Sequence, residues 1–171
     1  MASSLICCET QSRVSSVLNR DVKQYGKKYM FDSNEETCWN SDQGECQWVS
    51  LEFPRSVQIS LLRIQFQGGF SAKQCRLEGR PEDGTITVLS HFYPEDNNSL
   101  QSFPIQEAPA VHRVKIVFEN SADFFGRVIV YSLDIMGEKS SCRCYSTTVL
   151  HLVQDALIRV SFANCGCVAL I

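Results

Sequence analysis

The sequence predicts an all-β protein, folded as an antiparallel sandwich or barrel. Apolar residues recur with a period of two, which places Val49, Leu51 and Phe53 on one face of a strand. Short segments of this kind, about eight in all, follow one another with turn residues spaced as in known sandwiches. No internal repeat or long linker interrupts them. A chain of 171 residues with 44% apolar side chains can form one domain around one core.

Residues 31–54 organise this fold. The stretch 32–34 is Asp-Ser-Asn, whose side chains hold a tight loop by hydrogen bonding to their own backbone. A strand follows, and we expect Pro54 to end it. Both tryptophans of the chain, Trp39 and Trp48, lie in this stretch, so together they are the expected centre of the core.

Before this stretch, residues 1–9 are expected to form an entry segment, and Val14, Val17 and Leu18 to contact the core. A short helix or turn is expected over Gln24–Phe31. After it, residues 57–67 form the clearest half-buried strand, because Leu62, Ile64 and Phe66 alternate with polar residues.

Gly68 and Gly69 end that strand. Two consecutive glycines indicate a backbone that adopts positive φ or that another chain segment approaches closely. The remaining strands are predicted at 75–79, 85–92, 103–105, 111–119 and 127–136. In the last two, the apolar faces are Val114, Ile116 and Phe118, then Ile129, Tyr131, Leu133 and Ile135, and Gly137 is expected to end the strand.

The charge balance argues against nucleic acid and membrane partners. The net charge is −3, and residues 1–138 carry 13 basic and 18 acidic side chains. Such a surface does not attract phosphates or anionic lipid. No apolar run is long enough to span a membrane, and Met1–Glu9 lacks the basic and apolar regions of a secretory signal. We therefore expect a protein that is not secreted.

Nine cysteines, an odd number that includes adjacent Cys7 and Cys8, favour reduced thiols in the cytosol or nucleus. The pairs at 142/144 and 165/167 are too closely spaced for a structural zinc site. Catalytic motifs are absent, and Cys38 has no identifiable histidine partner. The sequence predicts a non-enzymatic protein without a cofactor.

The spacing of Asp32, Asn34, Thr37 and Trp39, followed by Gln47-Trp48, resembles the discoidin, or coagulation factor 5/8 type C, domain. The resemblance implies a jelly-roll β-sandwich of the galactose-binding-like type over residues 3–138. Residues 139–171 lie outside it as a C-terminal extension, either disordered or a loosely docked helix. Helical spacing of the apolar residues predicts one helix over 147–160.

Two further features are implied by that resemblance. Secreted members often join their ends by a disulfide, for which Cys7 and Cys142 or Cys144 are the candidates, although the expected compartment disfavours it. Some members hold calcium in the first loop, for which the candidates are Asp32, Asn34 and Thr37. Their last carboxylate ligand corresponds to Ser132 here, so a loop tied by its own hydrogen bonds is favoured and no metal is expected.

Loops at one end of such a sandwich carry ligand contacts. The candidate loops are 25–29, 39–43, 67–70 and 123–126. The candidate binding residues are Trp39, Asn40, Asp42, Phe70, Phe124, Phe125 and Arg127. An exposed aromatic patch here indicates a partner site, and the alternative is that Phe124 and Phe125 plug the end of the barrel.

Five stretches, 15–20, 35–44, 64–70, 92–101 and 123–128, are similar to a family of small single-domain nuclear proteins. That family binds the testicular orphan nuclear receptor TR4. The resemblance implies a repressor that is nuclear, or both nuclear and cytoplasmic, and that hinders the receptor from occupying DNA, with no direct nucleic acid, membrane or glycan partner. No LxxLL motif occurs, so the domain surface would make the contact. The alternative is a lectin that binds sugar through Trp39, Asn40, Arg127 or the loop aromatics.

Overall fold

The computed structural model describes residues 3–82 and 84–140. In these residues the chain is an antiparallel β protein, as predicted, with nine strands where the sequence indicated about eight. The strands are β1 Ser3–Ser4, β2 Gln11–Val14, β3 Trp39–Asn40, β4 Cys46–Phe66, β5 Ala72–Arg80, β6 Thr87–Phe92, β7 Leu100–Pro104, β8 Val111–Ser121 and β9 Ile129–Lys139. The C-terminal helix predicted over 147–160 lies outside the described residues.

One long strand, β4, joins the two layers of the sandwich. Its first half pairs with β2 and β8, with Trp48 opposite Val117, and its second half pairs with β9 and β7. β5 continues the first layer beyond β8, and β6 forms its edge. The change of partner falls where the register with β8 shifts, between Glu52 and Val57. A local irregularity of this kind lets one strand turn from one sheet into the other.

Pro54 lies at this bend, and the prediction that it ends the strand was wrong. The strand continues from Phe53 to Phe66 because the missing N–H of proline falls at the register shift, where no regular ladder bond is required. Gly137 likewise does not end β9, which runs to Lys139. A Cβ at Gly137 would lie 2.0 Å from the carbonyl oxygen of Gln58, so glycine is required there by the close approach of β4.

The core lies between the two layers, and Trp39 is at its centre with 0% exposure. The Trp39 indole N–H donates to the carbonyl of Ser16 at 2.9 Å, so its one polar group is satisfied. Its ring packs 6.1 Å from that of Phe118, which in turn meets Phe66 edge to face. Leu62, Ile64, Val114 and Ile116 are also buried, as their alternation predicted.

Trp48 is not part of this core, contrary to the prediction for the pair of tryptophans. The period of two puts its neighbour Val49 inside and Trp48 on the outer face of the sheet. There the ammonium group of Lys115 lies 5.0 Å above its ring. Trp48 is therefore a surface aromatic residue that is partly covered.

The segment between β2 and β3 forms the short helices expected near residues 24–31. A 3-10 turn over Leu18–Arg20 precedes α1, Val22–Tyr25, and a second 3-10 turn covers Lys27–Met30. The Asp21 carboxylate caps α1 by accepting from two backbone N–H groups. In the part of the chain that the structure describes, no helix has the length and apolar character needed to cross a membrane.

Candidate binding site at the loop end

Four loops meet at one end of the sandwich. They connect β3 to β4, β4 to β5, β6 to β7 and β8 to β9, and we call this surface the loop end: residues 41–45, 67–71, 93–99 and 122–128. Backbone hydrogen bonds tie the loops to one another. Ser41 N–H donates to the carbonyl of Val128 at 2.9 Å, Gly44 N–H to that of Phe125 at 3.1 Å, and Ile129 N–H to that of Phe70 at 3.1 Å. The loops therefore form one hydrogen-bonded surface.

The β8–β9 loop is held by the carboxylate of Asp123. It accepts hydrogen bonds from the backbone N–H groups of Phe125 and Arg127 and from the Arg127 guanidinium, at 3.1–3.2 Å. The Arg127 side chain is the main reason that the pKa of Asp123 lies below its usual value, and the pKa of Arg127 is raised in return. Gly126 completes the turn with φ +79°.

This braced loop presents two aromatic rings to solvent. Phe124 is 93% exposed and Phe125 is 55% exposed, and their rings pack edge to face with centroids 5.3 Å apart. The guanidinium of Arg127 lies 5.0 Å above the ring of Phe70 from the neighbouring loop. Phe124 and Phe125 do not plug the barrel, because that role would require them to be buried.

The β4–β5 loop is braced from the β6–β7 loop. Asp96 accepts from Gly69 N–H at 2.9 Å and from the Ser71 hydroxyl at 2.7 Å, and Asn98 accepts from Gly68 N–H at 2.7 Å. These hydrogen bonds, with that from Ser71 the largest, lower the pKa of Asp96. Gly69 has φ +86°, as the double glycine predicted. The sequence did not predict that Asp96 and Asn98 brace the neighbouring loop.

A buried polar cluster supports the loops from below. Gln47 is 3% exposed; its carboxamide accepts from the hydroxyls of Ser15 and Ser16 and donates to the carbonyl of Asp42. Ser41 is 0% exposed, and its hydroxyl accepts from Val128 N–H at 2.8 Å. Because a buried amide costs free energy unless it is hydrogen-bonded, these partners explain why Gln47 is tolerated beneath the surface.

The structure separates the predicted binding residues into two groups. Trp39 is fully buried and is unavailable to a partner at this surface, which corrects the prediction that it makes contacts there. Asn40 is 8% exposed, and its carboxamide oxygen has no hydrogen-bond partner among the described residues. The side chains at the surface are Asp42, Phe70, Phe124, Phe125 and Arg127. Their role in binding remains a prediction.

The predicted loop at 25–29 does not join the loop end. Lys27 of this segment donates to the carbonyl of Ser12, and the Tyr29 hydroxyl donates to that of Lys23. The segment therefore lies beside β2, away from the four connected loops.

The loop at Asp32, Asn34 and Thr37 is closed by its own hydrogen bonds. One carboxylate oxygen of Asp32 accepts from Asn34 N–H at 3.0 Å and the other from the Thr37 hydroxyl at 2.7 Å. Among the described residues, no three His, Cys, Asp or Glu side chains are grouped to hold a metal ion. These oxygens already close the loop by hydrogen bonding, and Ser132 supplies no carboxylate, so the expectation that no metal binds here stays a prediction.

Five cysteines of the described region are free thiols: Cys7, Cys8, Cys38, Cys46 and Cys75. The disulfide considered between Cys7 and Cys142 or Cys144 involves residues outside the described region.

The fold is that of the discoidin, or F5/8 type C, domains. The F5/8 type C domain of a Bacteroides fragilis protein superposes with a TM-score of 0.71 at 14% identity, over 81% of this chain and 98% of that one. The family 32 carbohydrate-binding module of Clostridium perfringens NanJ, solved with galactose, gives a TM-score of 0.67 at 14% identity, over 80% and 99% of the two chains.

Sequence relatives define the family more narrowly. The nuclear receptor 2C2-associated protein of Danio rerio is 73% identical over 139 residues, and that of Homo sapiens is 58% identical over 139 residues. Each alignment covers 81% of this chain and 99% of the relative. This chain belongs to the family of nuclear receptor 2C2-associated proteins. No protein-family model matches it.

Proposed function

We propose that this chain is a nuclear, non-enzymatic interaction module that binds an orphan nuclear receptor and represses its transactivation by hindering the receptor from occupying DNA. The observation that carries the proposal is the family: relatives 58–73% identical are named as proteins associated with nuclear receptor 2C2. The fold is compatible with a non-enzymatic binding role, because one of its structural neighbours is a carbohydrate-binding module.

The loop end has the properties of a surface that binds a protein. Phe124 and Phe125 give it an exposed aromatic patch, and aromatic residues are the commonest anchors of protein interfaces. The brace between Asp123 and Arg127 holds them in place, so little conformational entropy is lost on binding. We therefore place receptor contact at the Phe124–Phe125 pair.

Hindrance of DNA binding requires no contact between this chain and DNA. Residues 1–138 carry 13 basic and 18 acidic side chains, so the domain gains no general attraction to phosphates. A module bound to the receptor beside its DNA-contacting surface would exclude the duplex by volume and by like charge.

The test is a pull-down of purified nuclear receptor 2C2 by the full chain, together with competition for a DNA duplex that the receptor binds. The variant is Phe124→Ser/Phe125→Ser, in which both side chains are exposed, so folding is preserved. The matched control is Ile86→Ser/Val88→Ser, two residues that are 60% and 51% exposed at the opposite end of the sandwich.

We expect the wild-type chain to bind the receptor and to release it from the duplex. Loss of two aromatic anchors should weaken receptor binding at least about tenfold, and the control should change it less than about threefold. Receptor binding that the Phe124→Ser/Phe125→Ser variant retains would overturn the placement at the loop end. Absence of binding by the wild-type chain would overturn the function itself.

A second candidate function, carbohydrate binding, is favoured by one observation. A structural neighbour with a TM-score of 0.67 is a carbohydrate-binding module that was solved with galactose. Asn40, one of the residues predicted to contact a sugar, borders the loop end with a carboxamide oxygen that is buried and has no partner among the described residues. Calorimetric titration of the full chain with galactose separates the two functions. We expect no saturable heat; saturable binding that Asn40→Ala abolishes would replace the receptor proposal with a lectin function.

A further inference from the structure

A second surface, unrelated to the loop end, lies between β2 and the α1 segment. It is a groove of about 680 Å³. Its lining residues are Arg13, Val14, Val17, Val22, Lys23, Gly26, Lys27, Lys28 and Trp48, and we call it the basic groove. None of these residues belongs to the four loops of the loop end.

Apolar side chains form the floor of the basic groove. Trp48 lies on the outer face of β4 and is only partly covered. Val14 and Val17 pack against the core, are half-buried and also line the groove. Val22, at the start of α1, is 61% exposed. A concave apolar surface of this kind is uncommon on a protein with no partner for it. The floor suits an apolar side chain from another molecule.

Lysine and arginine side chains form the rim. Residues 13–28 contain five basic residues and one acidic residue, although residues 1–138 as a whole are net acidic. Among the described residues, Arg13, Lys23, Lys27 and Lys28 form no ion pair, whereas three arginines elsewhere are each paired with a carboxylate. The rim therefore presents positive charge that the domain itself does not neutralise.

Local contacts keep these cations beside the floor. The Lys27 ammonium donates to the carbonyl of Ser12 on β2, and that of Lys28 lies 4.8 Å above the ring of Tyr29. Lys115 lies over Trp48, which places a fifth cation at the edge of the floor. None of these contacts removes a positive charge, so the field over the groove is retained.

We propose that the basic groove binds an acidic peptide segment of a partner protein, with an apolar side chain of that segment seated on Trp48 and the valines. Carboxylates flanking the apolar residue would meet the rim lysines. A short peptide carries both parts of this chemistry. A single-stranded nucleic acid would also place phosphates at the rim and could stack a base on Trp48, but its further phosphates would lie against the acidic remainder of the domain. The charge balance therefore favours the peptide.

The test uses fluorescence of the full chain. Trp39 is fully buried and Trp48 lines the groove, so a change in emission on titration reports on Trp48. The probe is a glutamate-rich synthetic peptide of about ten residues with two leucines, for which we expect a dissociation constant of about 10–100 μM. Binding should weaken as salt is raised.

Three comparisons make the result specific: a rim charge reversal against a matched charge reversal, a variant of the floor, and a second peptide. Lys23→Glu/Lys28→Glu reverses two rim charges, and Lys73→Glu/Lys139→Glu makes the same change in net charge on exposed residues outside the groove. Val22→Ser removes an exposed part of the floor. The third control is a second peptide in which serines replace the leucines.

We expect Lys23→Glu/Lys28→Glu to weaken binding of the leucine peptide about tenfold, and Lys73→Glu/Lys139→Glu to weaken it less than about threefold. The Val22→Ser variant should bind the leucine peptide more weakly than the wild-type chain does. The wild-type chain should bind the serine peptide more weakly than the leucine peptide. Equal weakening by the two charge variants would overturn the proposal, as would equal binding of the serine peptide. Tighter binding of a single-stranded oligonucleotide would assign the groove to nucleic acid, and emission that changes with protein concentration alone would assign it to a second copy of the chain.

Discussion

Replacing Gly126 with alanine should destabilise the loop end more than any other single methyl addition to a loop glycine. Gly126 has φ +79°, a conformation that costs an L-residue about 1–2 kcal/mol. The added Cβ would also lie 1.9 Å from the carbonyl oxygen of Gly44. The obstructing atom belongs to the backbone, so no side chain can rotate away to make room.

Gly69 provides a matched control. It has φ +86°, and an added Cβ would meet nothing within 4 Å. Gly69→Ala therefore carries only the conformational cost, about 1–2 kcal/mol. Gly126→Ala carries that cost and must also separate two loops, which breaks the hydrogen bond from Gly44 N–H to the Phe125 carbonyl, a loss of about 1 kcal/mol. We expect about 2–3 kcal/mol in total for Gly126→Ala.

The assay is equilibrium unfolding in urea, monitored by tryptophan fluorescence, with the free energy of unfolding compared among the wild type and the two variants. The difference between the variants isolates the contact between the loops from the conformational cost that they share. Equal destabilisation by Gly126→Ala and Gly69→Ala would refute the close contact of residues 44 and 126, and with it the geometry we describe for the loop end.

Three further predictions concern the core, the thiols and the acid response. Trp39→Phe should lower the free energy of unfolding by about 2–4 kcal/mol, because it leaves a cavity and an unpaired carbonyl, as denaturant titration would show. Hydrogen bonding to Thr10 lowers the pKa of Cys7, whereas burial raises that of Cys75. Peptide mapping after brief iodoacetamide treatment should find Cys7 alkylated and Cys75 protected, with Thr10→Val slowing Cys7 several-fold at neutral pH. Because the folded state lowers the pKa of Asp123, its contribution to stability is present above the unfolded value, about 3.9, and is lost as pH falls through the folded one. Asp123→Asn should therefore destabilise the chain at neutral pH and much less in acid; equal loss at both would contradict this linkage.

Both proposed surfaces depend on residues that the sequence shows but does not bring together. The pair Phe124 and Phe125 could be proposed as a contact site from sequence alone, but the same two residues were equally consistent with burial in the end of the barrel. Accessibility separates these alternatives, and it is a property of the folded chain. The braces from Asp96 and Asp123 were likewise invisible, because a polar loop residue can serve solvent, a ligand or another loop.

The basic groove was not predicted at all. Its cations are clustered between Arg13 and Lys28, a signal that composition over shorter windows would have detected. Their position beside Trp48 requires the pairing of β2 with β4, which places Arg13 opposite Ser50 and so brings the start of the basic segment against the strand that carries Trp48. Pairing between segments so far apart in sequence cannot be read from local patterns.

The sequence by itself determined the all-β class and the face of most strands, because a period of two states directly which side chains share a layer. It also indicated the positive φ of Gly69 at the end of β4, since glycine adopts that conformation without strain. Only the tertiary structure decided that β4 passes through Pro54 into a second layer, that Trp39 is at the centre of the core, and that Gly137 continues its strand. In each case a distant backbone segment, and not the local sequence, supplies the partner that determines the outcome.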